Sequence, residues 1–404
     1  MFSLKRSLLS VMAGMLLVSF STITHAENPP AIPTNKPWSE RMALSVMQRS
    51  PEAWQMRGYR NLSSPEWGYT YALSLAGFQK LYEKTGNEDY LDYVKVYVDQ
   101  LIDKDGKLKH YEMSEFNIDS VNGGKLLFAL HEKTGDERYL KVMQQLRHQL
   151  QWQPRTTEGG FWHKRIYPYQ MWLDGLYMGA TYYAQYAASF NEGAESFDDI
   201  ANQFILIEKK TRDAKTGLLY HAWDESKLQA WADNETGLSP HFWSRALGWY
   251  AMALVDTLDY FPEDHKDRQT LIDILNRLAE AVARYQDKTG LWYQVTDMGD
   301  RFGNYLEASG SGMFVYAFAK GANKGYLPVK YKKLAEKGFD GMVKHFVVLS
   351  PNKEVTLTHI CGSAGLGGSP YRSGSFDYYI SEALRDNDPH GVGPFILASL
   401  ELNR

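Results

Sequence analysis

Asp174 stands in the run Tyr167-Pro168-Tyr169-Gln170-Met171-Trp172-Leu173-Asp174-Gly175-Leu176-Tyr177-Met178. Pro168 favours extended backbone before it, and from Met171 the apolar residues continue at helical spacing through Tyr182, Tyr183 and Tyr186. Asp174 therefore falls in the first turn of a helix, among large apolar side chains. It can be a helix-start carboxylate that complements the dipole, or an acid–base group in a partly desolvated cleft. Two other segments have the same form, an aromatic followed by a charged residue at a helix start: Phe116-Asn117-Ile118-Asp119 and Phe242-Trp243-Ser244-Arg245. Asp119 reads either as a helix cap or as a second carboxylate beside Asp174. Arg245 could fork onto a carboxylate of a ligand. His163 and Lys164 precede Asp174 by about ten residues, and His221 follows the turn Leu218-Leu219-Tyr220. Each is a solvated loop residue unless the fold brings it to the same cleft. Two carboxylates and an arginine among aromatics suit acid–base chemistry on an anionic sugar.

The elements that must position these residues repeat. Leu81-Tyr82-Glu83-Lys84-Thr85-Gly86 returns as Leu130-His131-Glu132-Lys133-Thr134-Gly135, and Asp213-Ala214-Lys215-Thr216-Gly217 is echoed by Asp287-Lys288-Thr289-Gly290. Two helices per repeat of roughly 50 residues indicate stacked helical hairpins. Pairs are expected to begin near 40, 116, 171, 243 and 308, with a last one near 378. No polar capping repeat stands at either end, which favours closure into an all-α (α/α)6 barrel of six helical hairpins with the inner-helix starts at one mouth. No linker or low-complexity stretch divides residues 27–404, so one catalytic domain is expected there.

Composition narrows the class. Lys5 and Arg6, an apolar run from Leu8 to Phe20, and Thr24-His25-Ala26 read as a secretory signal peptide over 1–26, giving a periplasmic or secreted protein with no membrane attachment after signal removal. A net charge of −4 offers no basic field for nucleic acid. The single cysteine, Cys361, excludes an internal disulfide. Eleven Trp and 27 Tyr suit carbohydrate stacking, although many must be core. The Gly-rich stretch 359–374 lacks the ending of a phosphate loop and reads as a lid over the mouth. Asp103-Lys104-Asp105-Gly106 is at best a fragment of a calcium loop. No metal and no cofactor are expected, and the sequence is silent on oligomeric state.

The run from Tyr167 to Gly179 resembles the signature of family 105 of the glycoside hydrolases, the unsaturated rhamnogalacturonyl hydrolases, and more loosely the family 88 unsaturated glucuronyl hydrolases. Trp243-Ser244-Arg245-Ala246-Leu247-Gly248-Trp249-Tyr250, Tyr305 to Met313, Gly365 to Phe376 and Gly391-Val392-Gly393-Pro394-Phe395 extend the resemblance. Some members carry Gly-Asn where this chain has Ala246-Leu247. The resemblance implies the six-hairpin barrel. It also implies removal of a non-reducing-end 4,5-unsaturated uronic acid from small lyase-generated oligosaccharides by hydration of the C4=C5 vinyl ether. Asp174 and Asp119 would be the catalytic pair. Trp67, His163, Lys164, Trp172, His221, Arg245 and Trp249 would contact substrate. Pectin rhamnogalacturonan fragments are the first choice of substrate and ulvan-type sulfated fragments the second. A six-hairpin glycosidase or lyase acting on another uronate is the second reading within enzymes, and a non-catalytic sugar-binding relative is the reading from another class.

Overall fold

A computed structural model describes residues 30–404, so the expected signal peptide over 1–26 lies outside the described residues. Twelve helices carry the architecture: α1 (Trp38–Arg49), α2 (Tyr69–Thr85), α3 (Glu88–Leu101), α4 (Lys125–Thr134), α5 (Glu137–Trp152), α6 (Thr181–Ser189), α7 (Ala194–Thr211), α8 (Ser244–Thr257), α9 (Arg268–Ala283), α10 (Ala308–Asn323), α11 (Lys330–Phe346) and α12 (Pro389–Leu402). Two inner helices begin irregularly. A 3-10 segment, Ile118–Gly124, leads into α4. One α turn, Leu173–Gly175, and one π turn, Leu176–Ala180, lead into α6.

The inner helices neighbour one another in a closed ring, α2, α4, α6, α8, α10, α12 and back to α2. The residues of α8, α10 and α12 are buried nearly all round, as in a helix enclosed on every side, whereas α4 buries only Leu126, Leu127 and Leu130. In α8 and α10, Gly248 and Gly312 allow neighbours to pack closely, and a Cβ on Gly393 of α12 would lie 2.8 Å from the Leu73 carbonyl. The outer helices α3, α5, α7, α9 and α11 each pack on the inner helix before them, and α1 packs on α12. This is the all-α (α/α)6 barrel. Three antiparallel two-stranded ribbons decorate it: β1 (Gln170–Trp172) with β2 (Ala222–Asp224), β3 (Val347–Leu349) with β4 (Val355–Leu357), and β5 (Ile360–Cys361) with β6 (Leu384–Arg385).

Two of the expected hairpin starts need correction. The helix near 40 is not an inner helix opening the first pair. It is the outer partner of α12, so the first and last segments of the chain together make the sixth pair. The segment near 378 is a single short helix, Phe376–Ser381, and the last inner helix begins at Pro389. Local periodicity cannot reveal a pairing between helices more than 300 residues apart.

The sequence repeats are hairpin turns. Gly86 and Gly135 take positive φ, +70° and +68°, and donate their N–H to Tyr82 and His131 as helix C-caps. Asn87 and Asp136 then cap the outer helices by accepting the N–H of Asp89 and Arg138. The turns after the outer helices are closed by Asp103, Asp213 and Asp287, which accept backbone N–H groups within their own loops. In Asp103 that use of Oδ1 accounts for the fragment resembling a calcium loop.

At the C-terminal ends of the inner helices, Lys320 lies 2.7 Å from Asp256 and 2.6 Å from Asp259, with only 5% of its side chain exposed. Burial pushes the Lys320 ammonium down, but Asp256, Tyr316 and Asp259 outweigh it and hold the group well above its usual range. Lys320→Met removes the ammonium shared by both carboxylates and leaves Asp256 only the Tyr316 hydroxyl and Asp259 the more distant Lys324 at 3.5 Å, so it is expected to lower stability by about 3 kcal/mol in urea titration. KM should not change, because the cluster sits at the end opposite the inner-helix starts. An unchanged midpoint would contradict this reading.

Candidate active site

All six inner segments start at one mouth, and the residues singled out in the sequence gather there. β1 pairs with β2 in the register Gln170↔Asp224 and Trp172↔Ala222, and the Leu173 N–H donates to the His221 carbonyl. That clamp sets Asp174, in the first helical turn, beside His221: Oδ2 and Nε2 are 3.1 Å apart but poorly aligned for a hydrogen bond. The Nδ1 of His221 is 2.8 Å from the Tyr379 hydroxyl. The π turn follows directly, a feature that recurs at functional sites. Gly175 keeps this turn open, because a Cβ there would come within 3.1 Å of His163 Nδ1.

Asp119 is not the helix cap. Asn117 caps the 3-10 segment by accepting the Asp119 N–H, which leaves the Asp119 carboxylate for other partners. Those partners are Lys164, 2.6 Å from Oδ2, and His163, 3.2 Å from Oδ1. Burial pushes the Asp119 carboxyl up, but the charges of Lys164 and His163 outweigh it and hold it well below the usual carboxylate range. Burial likewise pushes Lys164 down, and Asp119 more than restores it. The side chains of Asp119 and Asp174 are each 14% exposed, so both reach the mouth. Both carboxylates bear on the ionisation of one phenol, Tyr69, at the start of α2. No lysine or arginine among the described residues pairs with Asp174. The two carboxyl groups are therefore chemically unequal: one is locked as an anion by an ammonium, while the other has an imidazole and, among the described residues, no ammonium or guanidinium beside it.

The aromatic residues line and support this floor. Trp172 stacks on His163 at 4.7 Å and on Tyr167 at 5.0 Å. Trp67 donates its indole N–H to the Ser120 carbonyl and lies against Gly123, where a methyl group would overlap the ring. Trp249, expected to contact substrate, is 1% exposed and packs beneath Tyr69 and Tyr177 instead. The Gly-rich stretch does not hang free over the mouth. Leu366 is buried against Trp172, Ala222 and Trp231, and Arg372 donates to the Tyr167 hydroxyl.

Arg245 lies at the mouth but is 1% exposed. Its Nε donates to Ser309 Oγ, and its Nη2 donates to the carbonyls of Cys361 and Gly362, while Nη1 has no hydrogen-bond partner. Nη1 is itself buried, so the full fork is not open to a ligand carboxylate. Arg245→Lys cannot serve these acceptors together. It is expected to lower kcat/KM and also stability, by about 2 kcal/mol. A rise in KM with unchanged melting would mean that the guanidinium serves substrate rather than the wall.

Sequence reasoning missed Glu307, Asp388, His390 and Tyr379. Glu307 caps α10 and accepts from Ser309, Gly310 and Cys361. Asp388 caps α12 by accepting the His390 N–H. Both are N-caps, two positions before the helix-start phase that marked Asp174; His390, the second residue of α12, does share that phase, which could have found it. Away from the mouth, Asp198, His265 and Asp267 lie close enough to share an ion. Lys266 already lies 2.7 Å from Asp198, and His265 Nδ1 accepts the Asp267 N–H, so the donor set fits a cation poorly.

Residues 38–404 match the model of Glycosyl Hydrolase Family 88. A family 105 glycoside hydrolase structure from C. acetobutylicum ATCC 824 is 49% identical, with a TM-score of 0.87, and the alignment covers 91% of this chain and 99% of that one. The unsaturated rhamnogalacturonyl hydrolase YesR of Bacillus subtilis (strain 168) is 31% identical over 251 residues, 61% of this chain and 68% of the relative. A possible family 105 member from Klebsiella pneumoniae subsp. pneumoniae MGH 78578, 24% identical with a TM-score of 0.74 over 98% of both chains, shares the fold.

Proposed function

The chain belongs to the family 88 glycoside hydrolases, in their family 105 branch, and from that premise we propose that it removes a 4,5-unsaturated uronic acid from the non-reducing end of rhamnogalacturonan fragments. The observation that carries this reading is the inequality of the two mouth carboxylates. Direct displacement at the anomeric carbon needs two carboxyl groups with complementary acid and base or nucleophile roles. Asp119 is an anion, but both of its oxygens are engaged, Oδ2 by Lys164 and Oδ1 by His163, so it is not free to attack the anomeric carbon or to take a proton from water, and a single carboxyl, Asp174, is left to give and take one. Hydration of a vinyl ether needs one such group. Asp174 gives its proton to C4, and the positive charge that develops is shared between C5 and the ring oxygen. Water adds at C5 and returns a proton to Asp174. The hemiketal then opens at the C5–ring oxygen bond, and the hemiacetal left at C1 releases the aglycone. Asp119 orients the ring hydroxyls or the water.

The anionic substrate finds support in the backbone. Six inner segments turn their N-terminal ends to one mouth, and the partial positive charge of helix N-termini favours an anion there. YesR supports rhamnose as the neighbouring sugar. We place the enzyme in the periplasm or outside the cell, with residues 1–26 as its export signal and 27–404 as one catalytic domain.

The test is a panel of lyase-generated disaccharides, followed by loss of absorbance of the conjugated C4=C5 bond. The rhamnose-linked unsaturated uronide should react fastest. Faster loss with sulfated rhamnose would move the substrate to ulvan-type fragments, and no loss with any member would overturn the reading.

A further inference from the structure

A second hydrogen-bonded chain reaches the same mouth from the C-terminal helix. Asp388 and His390 are each 1% exposed. His390 Nδ1 is 2.6 Å from Asp388 Oδ1, and the Tyr69 hydroxyl is 3.0 Å from His390 Nε2. Tyr69 is half-buried, set edge-on to His390 and Trp249.

The proton positions along this chain follow from its far end. Burial pushes the Asp388 carboxyl up, but His390 beside it, the His390 N–H and Arg245 hold it well below the usual range, so it is an acceptor only. His390 Nδ1 must then carry the ring proton. Burial and Arg245 pull the imidazole down to about 4, against the opposing pull of Asp388, so at neutral pH Nε2 is bare. A bare Nε2 accepts, and the only hydrogen on the Tyr69 oxygen must point to it. Burial pushes the Tyr69 phenol above its usual range, so it keeps that hydrogen. Tyr69 therefore offers the mouth lone pairs and no donor.

We propose that the Tyr69 oxygen accepts a hydrogen bond from a ring hydroxyl of the uronyl unit, and that His390 and Asp388 are positioning residues that fix it as an acceptor. This rests on the unsaturated uronide reading. On such a ring the glycosidic oxygen, the ring oxygen and the carboxylate are acceptors, and only the hydroxyls at C2 and C3 donate. Asp119, the charged group that bears most strongly on Tyr69, is also an acceptor. The two together match a pair of neighbouring hydroxyls and reject a ring whose hydroxyls are substituted.

Kinetics on the rhamnose-linked unsaturated disaccharide and the histidine tautomer test this together. Tyr69→Phe should lower kcat/KM about 10-fold, mostly through KM. His390→Gln should lower it comparably, and the double variant should be no worse than Tyr69→Phe alone, since both act through one oxygen. In nitrogen-15 spectra of the wild type, the histidine signal lost in His390→Gln should report protonated Nδ1 and bare Nε2 at neutral pH. Losses that multiply in the double variant, or protonated Nε2 in the wild type, would overturn the proposal. A wild type inert on every unsaturated uronide would overturn the functional reading instead, while the tautomer measurement, which needs no substrate, would still decide the proton positions.

Discussion

Asp174→Asn is expected to fold and bind substrate but to lose at least about 1,000-fold in kcat, because one residue supplies both the proton to C4 and the base for water. The amide is nearly isosteric, and the clamp that sets position 174 is made by backbone, the Leu173 N–H on the His221 carbonyl and the β1–β2 pairing, so the helix start should survive. His221 is the ion-pair partner of the side chain among the described residues, 3.1 Å away, and an amide can face an imidazole without leaving a buried charge unpaired. Single-turnover kinetics and the substrate dissociation constant separate the two effects. Near-normal turnover in a folded Asp174→Asn protein would remove Asp174 from the chemistry.

Asp119→Asn should cost less in rate and more in stability. A residue that orients substrate without exchanging its proton is expected to cost about 100-fold in kcat/KM. The substitution also leaves the Lys164 ammonium without its counter-charge at 2.6 Å. The pH dependence gives the sign. The Asp119 carboxyl titrates lower in the folded protein than when unfolded, so its contribution is fully present above the ordinary aspartate value of about 4 and fades as pH falls below it. The stability gap between wild type and Asp119→Asn should therefore be widest near neutrality and should narrow below pH ~4. A gap independent of pH would show that the Asp119–Lys164 pair contributes no stability through its charge.

The parts of this site legible in the sequence were those that sit in phase. Asp119, Asp174 and Arg245 each follow an aromatic at a helix start, and a closed ring of parallel inner helices carries that phase into space. What stayed hidden depends on partners far apart in the chain. Tyr69 meets His390 across 321 positions, and Arg245 meets the Cys361 carbonyl across 116. The same distance effect concealed the pairing of α1 with α12. Trp249 shows the converse limit. Its place in a recognisable motif reads equally well as contact or as support, and only packing against Tyr69 and Tyr177 decides for support. The Asn117 cap was adjacent in sequence and could have been read, since Asn is a preferred cap residue and it relieves Asp119 of that duty.

The central claim is that Asp174 hydrates a double bond, and the position of solvent deuterium tests it most directly. The reaction run in D2O and stopped early should give a released sugar carrying one deuterium at C4 in a single configuration, because the proton comes from one carboxyl fixed on one face of the ring. Direct cleavage at the anomeric carbon predicts a monosaccharide released with its C4=C5 bond intact, with deuterium entering both C4 positions only as it rearranges in solution. That second result would contradict the account.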